Sequence, residues 1–106
     1  MSATLAEVEA KIRAAMDAAK ARGYCIKSGA YLNRGKSWCC AVGAAVIDDT
    51  VADAYTAAER ASYALDLSME QVGEIARGFD DDDQLENDKD LYELGRRLRA
   101  DYLWAP

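Results

Sequence analysis

With 106 residues, a net charge of −6 and no histidine, the chain suits one domain rather than two. It lacks the side chain that Ser–His and Cys–His catalysis, imidazole zinc sites and histidine pH switches require. No stretch approaches the roughly 20 apolar residues of a membrane span, and "MSATLAEVEAKIRAAM" carries Glu7 and Glu9 where a secretory signal needs an apolar run.

The first helix is marked by Thr4 and Glu7, which have capping-box spacing. Leu5, Val8, Ile12, Ala15, Met16 and Ala19 then recur at helical spacing, and Gly23 is a natural stop. Residues 24–37, "YCIKSGAYLNRGKS", have no helical period. Tyr24, Ile26, Tyr31 and Leu32 are candidates to anchor this segment, and "NRG" could turn a short β-hairpin. Ser37 is a good N-cap, so a second helix is expected from there through "WCCAVGAAVI" to about residue 48.

A third helix is expected over residues 50–65, with Val51, Ala54, Tyr55, Ala58, Ala61, Ser62 and Leu65 inward. Ser68 and Gln71 form another capping box for a fourth, with Met69, Val72, Ile75, Ala76 and Phe79 as its stripe and Gly78 ending it. After the acidic "DDDDQLEND", a last helix starts near Asp88 and carries Leu91, Leu94, Leu98, Tyr102 and Leu103. The expected fold is therefore all-α. Residues 1–106 form a single helical domain, a compact bundle of about five helices with the irregular segment between the first two.

The charge is unevenly spread. Residues 1–47 hold seven basic and three acidic side chains, whereas residues 48–106 hold six basic and sixteen acidic ones. Asp80, Asp81, Asp82, Asp83, Glu86, Asp88 and Asp90 fall within eleven residues. Laid on a calcium-binding loop that starts at Asp82, the segment puts Gln84, Glu86, Asp88, Asp90 and Glu93 at ligand positions. The glycine of the sharp turn is replaced by Asn87, however, and position eight holds Lys89. A solvated acidic loop is the better reading, with no metal and no cofactor. If a cation binds at all, Asp82, Glu86, Asp88, Asp90 and Glu93 are its candidate ligands.

The odd number of cysteines, three, argues against a disulfide framework, and adjacent Cys39 and Cys40 are badly placed to bond each other. The expected compartment is the cytoplasm, with reduced thiols. Both cysteines would lie in the first turn of the second helix, where the dipole lowers a thiol pKa. With no histidine as base, and with small residues following, packing is the preferred reading. Cys40 is expected to face the core with Gly43, Ala44 and Ile47, and Gly43 and Ala44 to admit a neighbouring helix. Residues 20–38 hold Lys20, Arg22, Lys27, Arg34 and Lys36 among Tyr24, Tyr31 and Trp38, a mixture that can bind nucleic acid. The acidity of the whole chain speaks against it. Arg96, Arg97 and Arg99 are placed to complement the dipole of the last helix.

Gly23-Tyr24, Gly29-Ala30, Cys40-Ala41-Val42-Gly43-Ala44 and Asp80-Asp81 after Phe79 follow one another across most of the chain. In this order they resemble a family of small bacterial and phage proteins of unknown function. That family joins a Gly-aromatic pair, a Gly-Ala, a Cys-Ala-x-Gly-Ala helix start and an Asn-Asp after an aromatic. Here Asp80 replaces the asparagine and the following loop is longer and more acidic. The resemblance implies a small all-helical domain with Cys40 as a packing residue, and imports no activity.

The expected function is that of a non-enzymatic interaction or accessory protein, phage-related by this resemblance. It would engage a basic protein partner through an acidic face at residues 80–90. The alternatives are a small enzyme, metal-dependent through Asp48, Asp49, Asp80, Asp81 and Asp83 or thiol-dependent through Cys40, and a nucleic-acid module using residues 20–38. Sequence sets neither the partner nor the oligomeric state.

Overall fold

The computed structural model describes residues 4–28, 32–33, 35–47, 54–81 and 88–103. Helix α1 spans Leu5–Ala21. The Thr4 hydroxyl accepts the Glu7 N–H at 3.2 Å, and the Glu7 carboxylate accepts the Thr4 N–H at 2.9 Å. This closes the expected capping box. Val8, Ile12, Met16 and Ala19 are buried, while Leu5, placed by the periodicity on the inner stripe, is 37% exposed. Gly23 ends the helix with φ of 92°, a left-handed conformation that costs glycine nothing. The Tyr24 N–H then donates to the Ala19 carbonyl at 3.0 Å, which lays Tyr24 against the core.

The segment after α1 forms a small sheet of β1 (Cys25–Ile26), β2 (Leu32–Asn33) and β3 (Trp38–Cys39), in the order β1-β3-β2. β2 and β3 are the hairpin that "NRG" suggests, paired antiparallel with Leu32 opposite Cys39 and Asn33 opposite Trp38. β1 adds in parallel, with Cys25 opposite Trp38 and Ile26 opposite Cys39. Side chains alternate across a strand, so Ile26, Leu32 and Cys39 share the core side and Cys25, Asn33 and Trp38 share the other.

This sheet corrects the expected start of the second helix. Ser37 does not cap it. It is a left-handed turn residue, with φ of 57°. The Ser37 and Cys39 carbonyls accept the Cys25 and Lys27 N–H groups at 2.7 and 2.8 Å. The backbone around Trp38 and Cys39 is thus committed to the sheet, and a helix cannot begin before Cys40. Helix α2 is the single turn Ala41–Ala44, followed by tight turns to Ile47. Its expected end near Asp48 lies outside the described residues, as do the anchor Tyr31 and the expected start of the third helix, residues 50–53.

Helix α3 is Ala54–Leu65, with Ala57, Ala58, Ala61, Ser62 and Leu65 buried. Helix α4 is Met69–Phe79, capped by Ser68 and Gln71 as expected. Helix α5 is Lys89–Leu103. The Asp88 carboxylate accepts the Leu91 N–H at 3.2 Å at its start. Gly78 does not end α4. It lies inside the helix, which ends one residue later at Phe79, with Asp80 as its C-cap and Asp81 turning left-handed with φ of 59°. Gly78 and Gly95 are instead where α4 and α5 touch. A Cβ on Gly78 would fall onto the Tyr92 carbonyl oxygen, and one on Gly95 onto the Ile75 carbonyl oxygen and within 2.7 Å of the Phe79 nitrogen.

From one end of the pair to the other the partners advance together: Ser68 and Gln71 line one hollow with Asp88, Gly78 meets Tyr92 and Arg96, and Asp81 lies 3.4 Å from Arg96. The two helices therefore point the same way. Their N-termini share one end of the pair and their C-termini the other.

A polar seam ties α1 to α5. Glu9 accepts from Arg13 and Arg97, both at 2.9 Å, and Arg13 reaches Asp101 at 2.7 Å. The Tyr102 hydroxyl donates to Asp17 at 2.9 Å. The hydrogen bond from Arg13, then that from Arg97, holds Glu9 below its ordinary 4.5. A lowered folded-state value stabilises the fold at pH above 4.5, and the contribution disappears as pH falls through the folded value. Urea midpoints between pH 6 and pH 3 should therefore fall less steeply for Glu9→Gln than for the parent chain.

Candidate functional site

Both cysteines of the Cys39–Cys40 pair are buried, and for different structural reasons. Cys39 faces the core from β3, and burial pushes its thiol up to about 11. Cys40 is the N-cap of α2, its sulfur accepting the Gly43 N–H at 3.4 Å. Burial pushes it up to about 12, against the lowering effect of the Gly43 and Val42 N–H groups. The expected first-turn activation of Cys39 does not arise, because Cys39 lies in a strand. At Cys40 desolvation outweighs the amide dipoles. Cys40, Gly43 and Ala44 are all buried.

Cys25 is the exposed thiol. In the native protein a maleimide should modify Cys25 in minutes and leave Cys39 and Cys40 unmodified until denaturant is added. Intact mass and peptide mapping read this directly. Burial suppresses the Cys40 thiolate, the form that reacts, and also shields the sulfur sterically.

The described residues of the acidic stretch do not form one face. Asp80 caps α4 at its C-terminus and Asp81 follows it, both exposed. Asp88 and Asp90 sit at the start of α5. Because α4 and α5 point the same way, the two groups lie at opposite ends of the pair. Asp82, Asp83 and Glu86, between them, lie outside the described residues, as do Asp48 and Asp49 of the metal-dependent alternative. Among the described residues no group of three or more His, Cys, Asp or Glu is arranged to hold a metal ion. Glu93, the last position of the calcium template, is 3.9 Å from Lys89.

At the C-terminal end of the pair, Asp81 and the end of α4 are answered by arginines of α5. Asp81 and the α4 carbonyls add negative charge where the helix dipole is already negative. Arg96 answers Asp81 at 3.4 Å, and Arg99 answers the Phe79 carbonyl at 2.9 Å. The arginines therefore do more than complement the dipole of their own helix: Arg97 binds α1, and Arg96 and Arg99 bind the end of α4.

The N-terminal end is different. A surface cleft of about 410 Å³ is lined by Ser68, Glu70, Gln71, Glu74 and Asp88. A smaller one of about 140 Å³ shares Gln71 and Asp88 and adds Leu5, Val8, Leu67, Asp90 and Leu91. Two adjoining hollows thus combine an acidic wall with an apolar floor. Periodicity missed Glu74, which is 1% exposed and lies 3.3 Å from Arg77. It falls outside the apolar stripe of α4.

The basic and aromatic segment is only partly gathered. Tyr24 packs against the core, and Arg34 and Tyr31 lie outside the described residues. The Lys27 and Lys36 ammonium groups each lie 4.8 Å from the centre of the Trp38 ring, and Lys20 lies 5.7 Å from that of Tyr102. No helix among the described residues is long and apolar enough to cross a membrane. No protein-family model, curated protein or solved structure matches the chain.

Proposed function

We propose that this is a non-enzymatic interaction or accessory protein. It engages a basic protein segment through the acidic end where the N-termini of α4 and α5 meet. The supporting observation is the paired cleft, with Glu70, Glu74, Asp88 and Asp90 around a floor of Leu5, Val8, Leu67 and Leu91. Carboxylates beside an apolar floor suit a partner segment with a lysine or arginine next to an aliphatic anchor. Helix dipoles explain why acids are favourable at this end, and the surplus negative potential speeds encounter with a cation. The site takes in Asp88 and Asp90 of the acidic segment. Asp80 and Asp81, at the other end of the pair, would act at longer range, through charge rather than contact. The buried, raised thiols favour this reading over a thiol enzyme. The cytoplasm suits a chain whose cysteines are free.

The test uses a synthetic peptide that alternates leucine and lysine, with surface-immobilised protein and a salt series. The association rate should fall severalfold in Glu70→Gln/Asp90→Asn and lose most of its salt dependence. An unchanged rate in that variant, or no binding by the parent chain, would refute the reading. The triple variant Asp81→Asn/Asp82→Asn/Asp83→Asn should slow association less than Glu70→Gln/Asp90→Asn.

A further inference from the structure

The outer face of the small sheet presents a different chemistry. Cys25, Trp38 and Asn33 lie side by side there by register. Lys27 continues the same side of β1, its N–H held by the Cys39 carbonyl at 2.8 Å. Lys36 sits in the β2–β3 turn, its N–H held by the Asn33 side chain at 3.1 Å. The two backbones are thus fixed on either side of Trp38, and both ammonium groups converge on one indole at 4.8 Å. Two like charges sharing a ring repel each other.

Neither ammonium is within ion-pair distance of a carboxylate among the described residues. Residues 20–38 contain no acidic side chain at all. In a chain of net charge −6, two lysines with no carboxylate at ion-pair distance among the described residues, around a half-buried indole, are a local surplus of the opposite sign.

We infer that this face, Lys27, Lys36 and Trp38, is a docking surface for single-stranded nucleic acid. The ligand must supply negative charge for two ammonium groups and a flat face for an indole. A single strand supplies both, because its phosphates are spaced along a backbone and its bases are free to stack. An acidic peptide satisfies the lysines and leaves the ring unused, and a duplex keeps its base faces covered. A base that stacks on Trp38 takes the place of an ammonium at the ring, and that ammonium moves to the adjacent phosphate. The overall negative charge opposes approach, so binding is weak and confined to low salt. The inference does not depend on the acidic cleft of α4 and α5.

The probe is dodecathymidylate, titrated into the full chain at 20 mM salt in a Trp104→Phe background, so that fluorescence reports Trp38 alone. Quenching should saturate, and log affinity should fall with log salt with a slope of about −1.4 for two phosphates. Lys27→Gln/Lys36→Gln, which alters only exposed side chains, should weaken binding at least tenfold and bring the slope near zero. Three outcomes would each overturn the inference: no quenching by the oligonucleotide, equal binding by the lysine variant, or tighter binding of a glutamate oligopeptide than of the oligonucleotide.

Discussion

Gly78→Ala and Gly95→Ala should each destabilise the protein by about 3 kcal/mol or more, the upper end for overpacking a tight interior. The added methyl meets backbone in both cases. At Gly78 it falls onto the Tyr92 carbonyl oxygen and within 2.9 Å of the carbonyl carbon. At Gly95 it falls onto the Ile75 carbonyl oxygen and within 2.7 Å of the Phe79 nitrogen. Backbone cannot swing aside as the end of a flexible side chain can, so α4 and α5 must separate along their shared contact.

Alanine is otherwise the better helix former by about 1 kcal/mol, so a neutral or stabilising result would mean that the helices do not touch there. Gly73, on the same helix with no atom within 4 Å of a built Cβ, is the internal control. Gly73→Ala should be neutral or raise the melting temperature. For a domain of this size a loss of about 3 kcal/mol corresponds to a drop of roughly 12–24 °C.

Phe79→Ala should cost about 3–5 kcal/mol, the range for removing a buried aromatic side chain. Phe79 is 0% exposed and is the largest of the fully buried side chains among the described residues. It closes α4 at the point where Gly95 crosses, and its carbonyl accepts from Arg99. Phe79→Leu keeps most of the volume and should recover more than half of the loss. A denaturant series on the three proteins checks this. Equal destabilisation by leucine and alanine would show that ring shape, rather than filled volume, holds the corner.

What the sequence makes legible is local. The capping boxes at Thr4–Glu7 and Ser68–Gln71 and the glycine stop at Gly23 are written within a few residues, and each appears where the spacing puts it. What escapes depends on partners far along the chain. Ser37 is a good cap by type. The parallel pairing of β1 with β3 takes its carbonyl for Cys25, and the helix start moves to a cysteine. Gly78 looks like a terminator because glycine often is one, and only the crossing of Gly95 shows why it lies within a helix.

The candidate site was less legible than the fold. Seven acids within eleven residues look like one face. Two helices running in the same direction put Asp81 and Asp88 at opposite ends. The acidic cleft also draws on Glu70 and Glu74, which no run of charge announces. The two lysines that share Trp38 are close only because β1 adds to β3.

The claim that the N-terminal end of the α4–α5 pair is the binding surface is tested most directly by carboxylate footprinting. The protein is labelled with a water-soluble carbodiimide and a small amine, with and without the leucine–lysine peptide, and each carboxylate is quantified by mass. Glu70, Asp88 and Asp90 should be protected severalfold by the peptide, while Asp17, Asp66 and Asp101 label as before. Uniform labelling in the presence of bound peptide, or protection confined to Asp17, Asp66 or Asp101, would contradict the account.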